Sequence, residues 1–222
     1  MSWGVKSDGT TPRIVTSTLW EVRFPRLVIA LAVGAGLGCA GALLQGIFAN
    51  PLAEPSIIGV SSGGAVFASG LLAIASLAGV ERSYGFLKWG TALAAFIGAL
   101  LTTLLVYSLS RVQGKTVVVN LILVGVAINA MAGGFVTLFS FIGGTMAQSQ
   151  VVFWQLGSLA GAGWSSAVIT LIITVIGIVI ACLCAPKMDL LALGENQARH
   201  LGVNVERFRL CVIILVAALV GV

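Results

Sequence analysis

The chain has 222 residues, of which 59% are hydrophobic and only 9% are charged. A soluble domain of this length cannot bury so much apolar surface in one core, so the composition predicts a polytopic membrane protein. The net charge of +5 does not indicate a nucleic-acid-binding protein, because the basic residues are scattered at the ends of apolar runs and form no patch.

The N-terminal segment, residues 1–22, is polar and lacks the apolar core of a signal peptide. Arg23 and Arg26 follow it at the edge of the first apolar run, and Pro25 between them suits the opening of a helix. Arginines at the end of a membrane span are commonly anchors that extend to the lipid headgroups. Arg23 and Arg26 are therefore either such anchors or functional residues.

Six apolar runs approach the length of about 20 residues that one helical crossing of the hydrocarbon core requires. They predict an all-α membrane fold with spans at residues 27–48, 57–77, 89–109, 117–141, 166–185 and 208–222. The last run stops without a polar flank, from which we expect an incomplete chain. The segment at 143–164 is too polar to span and too apolar for a solvated loop, which favours an interfacial or re-entrant element.

A stripe of small residues lies along the first span, with Gly34, Gly38, Ala42 and Gly46 spaced four apart. This spacing places them on one helix face, where small side chains allow another helix to approach closely. The stripe predicts tight helix packing and no chemistry.

The connection after the first span reads Asn50-Pro51-Leu52-Ala53-Glu54-Pro55. Two prolines four apart forbid a continuous helix, so the connection is short and rigid, and Ser56 is a candidate cap for the next helix. One interpretation is a plain turn. The other is a turn beside a transport pathway, because irregular backbone at membrane depth is tolerated where it lines a cavity.

No Asp, Glu, Lys, Arg or His lies between Thr116 and Pro186. A membrane protein driven by a proton or ion gradient usually keeps an ionisable group inside the bilayer. Two successive spans without one predict that the energy for any transport comes from another chain.

A charged island follows at residues 187–207, which we interpret as a loop between two spans. Leu190, Leu191 and Leu193 precede Gly194, and residues 195–201, with Glu195 and Arg199, form a short amphipathic helix that Gly202 is placed to cap. The island is either a docking surface or a solvated loop with a few helical turns.

Other signals do not support chemistry in this chain. Gly114-Lys115-Thr116 resembles the end of a phosphate loop but lacks the earlier glycine and the preceding strand. His200 has no second ligand at metal spacing, and the four cysteines lie in apolar runs, which favours packing. We therefore expect no catalytic site, no cofactor and no metal. Loop charges do not set the orientation, because the 12 basic residues divide equally between the two sides.

Several motifs occur in one order along residues 19–222 and together carry a resemblance. They are Arg23-Phe24-Pro25-Arg26, Gly41-Ala42-Leu43-Leu44-Gln45-Gly46, Asn50-Pro51-Leu52-Ala53-Glu54-Pro55, Gly59-Val60-Ser61-Ser62-Gly63, Phe153-Trp154-Gln155-Leu156-Gly157-Ser158-Leu159, and Leu190-Leu191-Ala192-Leu193-Gly194-Glu195 with Ala198-Arg199 and Leu201-Gly202-Val203. This set resembles the permease subunits of the ABC transporters that take up iron-siderophores, haem and cobalamin.

The resemblance implies a multi-pass subunit of a bacterial inner membrane, with about ten helices of which six are present here, paired with a second permease subunit. It implies partners: a cytoplasmic ATPase and an extracytoplasmic substrate-binding protein. Arg23 and Arg26 would face outward and meet acidic residues of the binding protein, whereas Asn50 and Leu52 would lie near the inner gate. Residues 190–203 would be the coupling helices that sit on the ATPase.

The chain also departs from this family. A helix expected before Arg23 is replaced by a polar segment, and the later helices are missing. The alternative function is therefore a truncated, non-transporting remnant or a self-contained channel-like membrane protein. Neighbouring genes for an ATPase and a binding protein would favour the importer.

Overall fold

The computed structural model describes residues 18–79, 84–159 and 161–221. Within these ranges the chain is all-α apart from one short β-hairpin, as the sequence predicts. A π-helical turn at Leu19–Arg23 leads into the first of eight α-helices: α1 Phe24–Phe48, α2 Val60–Leu77, α3 Tyr84–Leu109, α4 Val118–Ile142, α5 Gly144–Leu156, α6 Trp164–Ala192, α7 Glu195–His200 and α8 Val205–Val220. A 3-10 helix at Pro55–Ile58 precedes α2, and strands β1 Arg111–Val112 and β2 Lys115–Thr116 pair antiparallel between α3 and α4.

Five helical segments among the described residues are long and apolar enough to cross a bilayer: Leu19–Phe48, Val60–Leu77, Trp89–Leu109, Val118–Ile142 and Trp164–Ala192. They coincide with the first five predicted spans. The sixth predicted span corresponds to α8, which has 16 residues. At 1.5 Å per residue it is about 24 Å long, shorter than the hydrocarbon core of about 30 Å. The chain is a multi-pass membrane protein.

One element boundary differs from the prediction, at Pro186. Helix α6 continues through Pro186 to Ala192, so the first residues of the predicted 187–207 loop are helical. Proline in a membrane helix is tolerated when the structure around it compensates the lost backbone hydrogen bond. Pro25 is the second residue of α1 and lies in its first turn, as expected, and a π-helical turn precedes this helix.

Helices α2 and α3 approach each other closely at Gly63 and Gly98. A Cβ atom added to either glycine would overlap the main chain of the other helix, so only glycine fits. The predicted stripe on α1 differs. An added Cβ at Gly34 or Gly38 meets nothing within 4 Å, although one at Gly46 would overlap the Met188 side chain. Close packing along this stripe stays a prediction, because no described helix approaches its first half.

Helix α8 lies at the centre of the described bundle. It packs against α1 and α6 on one side and against α3 on the other. Val212, Ile213 and Val216 in its middle are completely buried, and they join the main hydrophobic core of the chain. The burial of this helix fixes the position of its first turn, which carries the charged residues described below.

The segment between the fourth and fifth spans contains α5, a helix of 13 residues. Its length of about 20 Å is too short to cross the hydrocarbon core. It packs against α2 and α4, and the Ser76 hydroxyl donates to the Gly143 carbonyl at 2.8 Å beside its first turn. The expectation of an interfacial or re-entrant element agrees with this arrangement.

Candidate functional site

The end of the bundle where α1 begins carries Arg23 and Arg26. Arg23 is exposed and Arg26 is half-buried, whereas Pro25 between them is buried. An aromatic cluster stabilises this end: the Trp20 ring lies 5.5 Å from Phe24 and 5.2 Å from Trp164. The two arginines therefore lie on an ordered surface, and the Arg23 side chain is exposed there.

The opposite end of α1 leads into the turn with Asn50 and Leu52. The Asn50 side chain accepts a hydrogen bond from the Leu52 backbone N–H at 2.9 Å, and the Gln45 side chain donates to the Pro51 carbonyl at 3.1 Å. Ala49 adopts a left-handed conformation with φ 46°. The turn is rigid, as the prolines predict, and it presents the Leu52 side chain, which is 80% exposed.

The 3-10 helix after this turn is held directly against α4. Asn129 donates through Nδ2 to the Ser56 carbonyl at 3.1 Å, and a Cβ at Gly125 would overlap the Ile57 carbonyl. The prediction that Ser56 caps α2 is wrong, because its hydroxyl donates to the Glu54 carboxylate and Gly59 precedes the helix. Helix α4 and the Asn50–Pro55 turn thus form one packed unit.

An open cavity of about 1030 Å³ lies between α2, α3, α4, α5 and the C-terminal end of α8. Its polar lining consists of hydroxyl and amide side chains from Ser61, Ser62, Asn129, Thr137, Ser140, Gln148 and Gln155. Among the residues that line it in the described part of the chain, none carries a formal charge. The sequence analysis missed the α4 contribution, although polar residues at 129, 137 and 140 within an apolar span were the available signal.

The residues of the charged island gather at the end of the bundle opposite Arg23, around Arg209. Arg209 is 3% exposed, and its guanidinium pairs with the Glu195 carboxylate. Its Nη1 lies 3.8 Å from the Glu206 carboxylate, and its Nε donates to the Ile47 carbonyl at 3.4 Å. A buried cation therefore joins α7, α8 and the last turn of α1.

Glu206 connects this cluster to the β-hairpin. Its carboxylate accepts from the Thr116 hydroxyl at 2.7 Å and from the Thr116 backbone N–H at 3.2 Å. The Tyr107 hydroxyl donates to the Glu206 carbonyl at 3.3 Å. Arg199 lies 3.8 Å from both Glu195 and Glu206 and is 39% exposed. The two acidic residues are thus shared between a buried and an exposed arginine.

Two leucines that flank α7 are exposed on the α7 segment, which comprises residues 190–203. Leu193 and Leu201 are 63% and 60% exposed, whereas Leu191 is buried and Leu190 is half-buried. Gly202 has φ 88°, and its N–H donates to the Arg199 carbonyl at 3.0 Å, so the predicted C-terminal cap is present. The predicted docking residues therefore divide into an inner set that packs the segment and an outer set available for contact.

These features define a bundle of membrane-spanning helices with a cavity whose described lining is uncharged and with an ordered charged segment at one end. A family model described as the FecCD transport family matches residues 5–222. The chain belongs to the FecCD transport family, which confirms the resemblance carried by the motifs.

Individual relatives agree with this assignment. The hemin transport system permease protein HmuU of Yersinia pestis is 34% identical over 205 residues, which cover 91% of this chain and 60% of HmuU. The cobalamin import system permease protein BtuC of Halobacterium salinarum is 36% identical over 197 residues, 89% of this chain and 50% of that protein. The chain therefore spans between half and three fifths of the length of these curated relatives.

A solved structure has the same fold. It is described as an inward-facing conformation of a metal-chelate type ABC transporter, and it superposes with a TM-score of 0.81 at 30% identity, covering 100% of this chain and 67% of that one. The arrangement of spans described above is thus similar to that of the matching part of this transporter chain.

Proposed function

We propose that this chain is the membrane-spanning permease subunit of a binding-protein-dependent ABC importer that moves an iron-siderophore, haem or cobalamin-type chelate. The observation that carries the proposal is the family match over residues 5–222. The permeases of hemin and cobalamin import among its relatives support the substrate class. In this proposal ATP is hydrolysed by a separate cytoplasmic subunit, and a second permease subunit completes the pathway.

The coupling surface in this proposal is the α7 segment. Leu193 and Leu201 expose apolar side chains at the end of the bundle that carries the charged cluster. Large exposed apolar side chains on an ordered, polar segment are typical of a contact surface for another protein. The ATPase binds here, where Leu190, Leu191 and Gly194 hold the segment in shape.

The proposal also assigns roles to the outer surface and to the inner gate. Arg23 and Arg26 meet acidic residues of the extracytoplasmic binding protein, because they lie at the end of α1 opposite the charged cluster. Asn50 and Leu52 line the inner gate, since their rigid turn follows the other end of α1. The cavity with hydroxyl and amide side chains contributes to the pathway.

The test is reconstitution of this chain with a second permease subunit, a cytoplasmic ATPase and an extracytoplasmic binding protein of such an importer. These proteins should purify as one complex in lipid nanodiscs. Binding protein loaded with hemin, cyanocobalamin or a ferric siderophore is then added in separate reactions, and ATP hydrolysis is measured. We expect one chelate class to stimulate hydrolysis, whereas empty binding protein stimulates less.

Uptake of the chelate into proteoliposomes is measured as well. Its control is an ATPase variant that binds ATP but does not hydrolyse it. Failure of the complex to form, or equal hydrolysis with every chelate and with none, would contradict the proposed function.

A further inference from the structure

Arg209 occupies the point where three separate segments of the chain meet. Its Nε donates to the Ile47 carbonyl in the last turn of α1, and its guanidinium pairs with Glu195 at the start of α7. Arg209 itself lies in the buried part of α8. Along the chain, Glu195 is 14 positions from Arg209 and Ile47 is 162 positions from it.

The contact with Ile47 completes the C-terminal end of α1. The last carbonyls of a helix lack intrahelical partners and carry partial negative charge, which a cation nearby stabilises. The Gln45 and Gly46 carbonyls accept from the backbone N–H groups of Asn50 and Ala49 at 3.2 and 3.3 Å. The Ile47 carbonyl instead accepts from Arg209, so the arginine takes part in holding the last turn of α1, three residues before Asn50.

The contact with Glu195 fastens α7 to the same group. Glu195 is the first residue of α7, and its side chain is 46% exposed, whereas that of Arg209 is 4% exposed. Arginine suits this position because its planar guanidinium holds five donors in fixed directions, whereas the three donors of lysine all lie on one nitrogen at the end of a flexible chain. Glu206, held by Thr116, lies on a further side of the guanidinium and keeps it in place.

We propose that Arg209 is a positioning residue that mechanically connects the α7 segment to the inner end of α1, so that a displacement of α7 moves the turn containing Asn50 and Leu52. This inference rests on the proposed docking of an ATPase at α7. The connection transmits the movement through the Glu195 and Ile47 contacts, while Arg209 itself contacts neither the ATPase nor the chelate.

The experiment measures the distance between spin labels at Gln197 on α7 and at Leu52, both exposed positions. The four native cysteines are first replaced so that only these sites are labelled. Double electron–electron resonance is recorded for this chain alone in nanodiscs and again with the ATPase and nucleotide. The variants are Arg209→Gln, Arg209→Lys and Glu195→Ala, and the matched control is Arg207→Gln on an exposed position of the same helix.

In the chain alone, we expect a narrow distance distribution for the parent and for Arg207→Gln, and a broadened one for the other three variants. With the ATPase and nucleotide bound, chelate transported per ATP hydrolysed should fall by about fivefold or more in those variants, the lower end of usual coupling between sites. ATPase binding itself should be retained, because the exposed Leu193 and Leu201 of the α7 segment are unchanged in these variants.

Distance distributions and transport ratios equal to the parent in both Arg209→Gln and Glu195→Ala would overturn the inference. Full restoration by Arg209→Lys would also overturn it, because charge neutralisation alone would then explain the role of the residue. If instead the parent chain fails to bind any ATPase, the proposed function fails, and the measurement on the chain alone still decides whether Arg209 connects the two segments.

Discussion

At the residue scale, Glu195 and Arg199 look equivalent in the sequence, since both are charged residues of one short helix. The structure separates them. Glu195 pairs with a buried arginine, whereas Arg199 is 39% exposed and lies 3.8 Å from each of its acidic partners. Reversing both charges together is therefore a poor test of docking, because the change at Glu195 also removes a partner of Arg209.

This difference predicts unequal stability effects. Glu195→Ala should lower the free energy of unfolding by about 2 kcal/mol, since a buried donor loses a charged hydrogen-bond partner. Arg199→Ala should lower it by less than about 1 kcal/mol, as is usual for exposed ion pairs. Thermal unfolding in detergent, followed by tryptophan fluorescence, measures both. Equal losses for the two variants would contradict this assignment.

Gly125 and Gly133 give a second contrast on one helix. A Cβ at Gly125 would overlap the Ile57 carbonyl, whereas a Cβ at Gly133 meets nothing within 4 Å. Gly125→Ala should therefore destabilise the protein by about 1–3 kcal/mol through overpacking. Gly133→Ala, the matched control, should be neutral or slightly stabilising because alanine favours helix. The midpoint of thermal unfolding distinguishes the two outcomes, and an unchanged midpoint for Gly125→Ala would refute the close contact.

Arg23 and Arg26 carry a prediction about the binding protein. Charge reversal of both should weaken capture of the binding protein, and the difference from the parent should shrink as salt is raised, because exposed charges are screened over about 8 Å at physiological ionic strength. Surface plasmon resonance on nanodiscs at several salt concentrations measures this. Arg207→Glu reverses an exposed charge near the opposite end and is the control. Unaltered capture by the double variant would leave the arginines as membrane anchors.

At the scale of elements, hydropathy alone was sufficient to predict the first five spans. Burial in a bilayer demands long apolar helices, and the first five runs correspond to helices in the structure. The sequence did not indicate that α6 passes through Pro186, because proline is tolerated when the surrounding packing compensates, and that packing is not local. The glycine cap at Gly202 was predictable, since a left-handed residue after a short helix favours glycine.

The α7 segment carries a prediction about docking of the ATPase. Replacing Leu193 and Leu201 together by glutamate should lower ATPase affinity by more than about tenfold, because loss of buried interface anchors typically costs about 2 kcal/mol. Co-purification and binding to the isolated ATPase measure the effect. Val112→Glu alters an exposed apolar residue in the β-hairpin and is the control. Retained binding by the leucine variant, or equal loss in the control, would count against docking through α7.

At the scale of the whole molecule, the contacts that organise the candidate site are distant in sequence. Glu206 meets Thr116 across 90 positions, and Arg209 meets Ile47 across 162. Periodicity and motifs report on local structure, so a single sequence indicated where charges lie along the chain but not that Arg209 is buried among them. The motifs indicated the family, whereas the connection between its α7 segment and the end of α1 required the structure.

The energy source is also a property of the whole molecule. No Asp, Glu, Lys, Arg or His lies between Thr116 and Pro186, and the described cavity lining is uncharged. A coupled proton would need an intramembrane group to carry it, and these spans provide none.

In proteoliposomes containing this chain and its partners, chelate uptake should require ATP on the side of the membrane where the ATPase is bound. Uptake should persist when an ionophore collapses the proton gradient. A non-hydrolysable ATP analogue is the control and should abolish uptake. Uptake that follows an imposed proton gradient without the ATPase would show that this chain couples transport by itself.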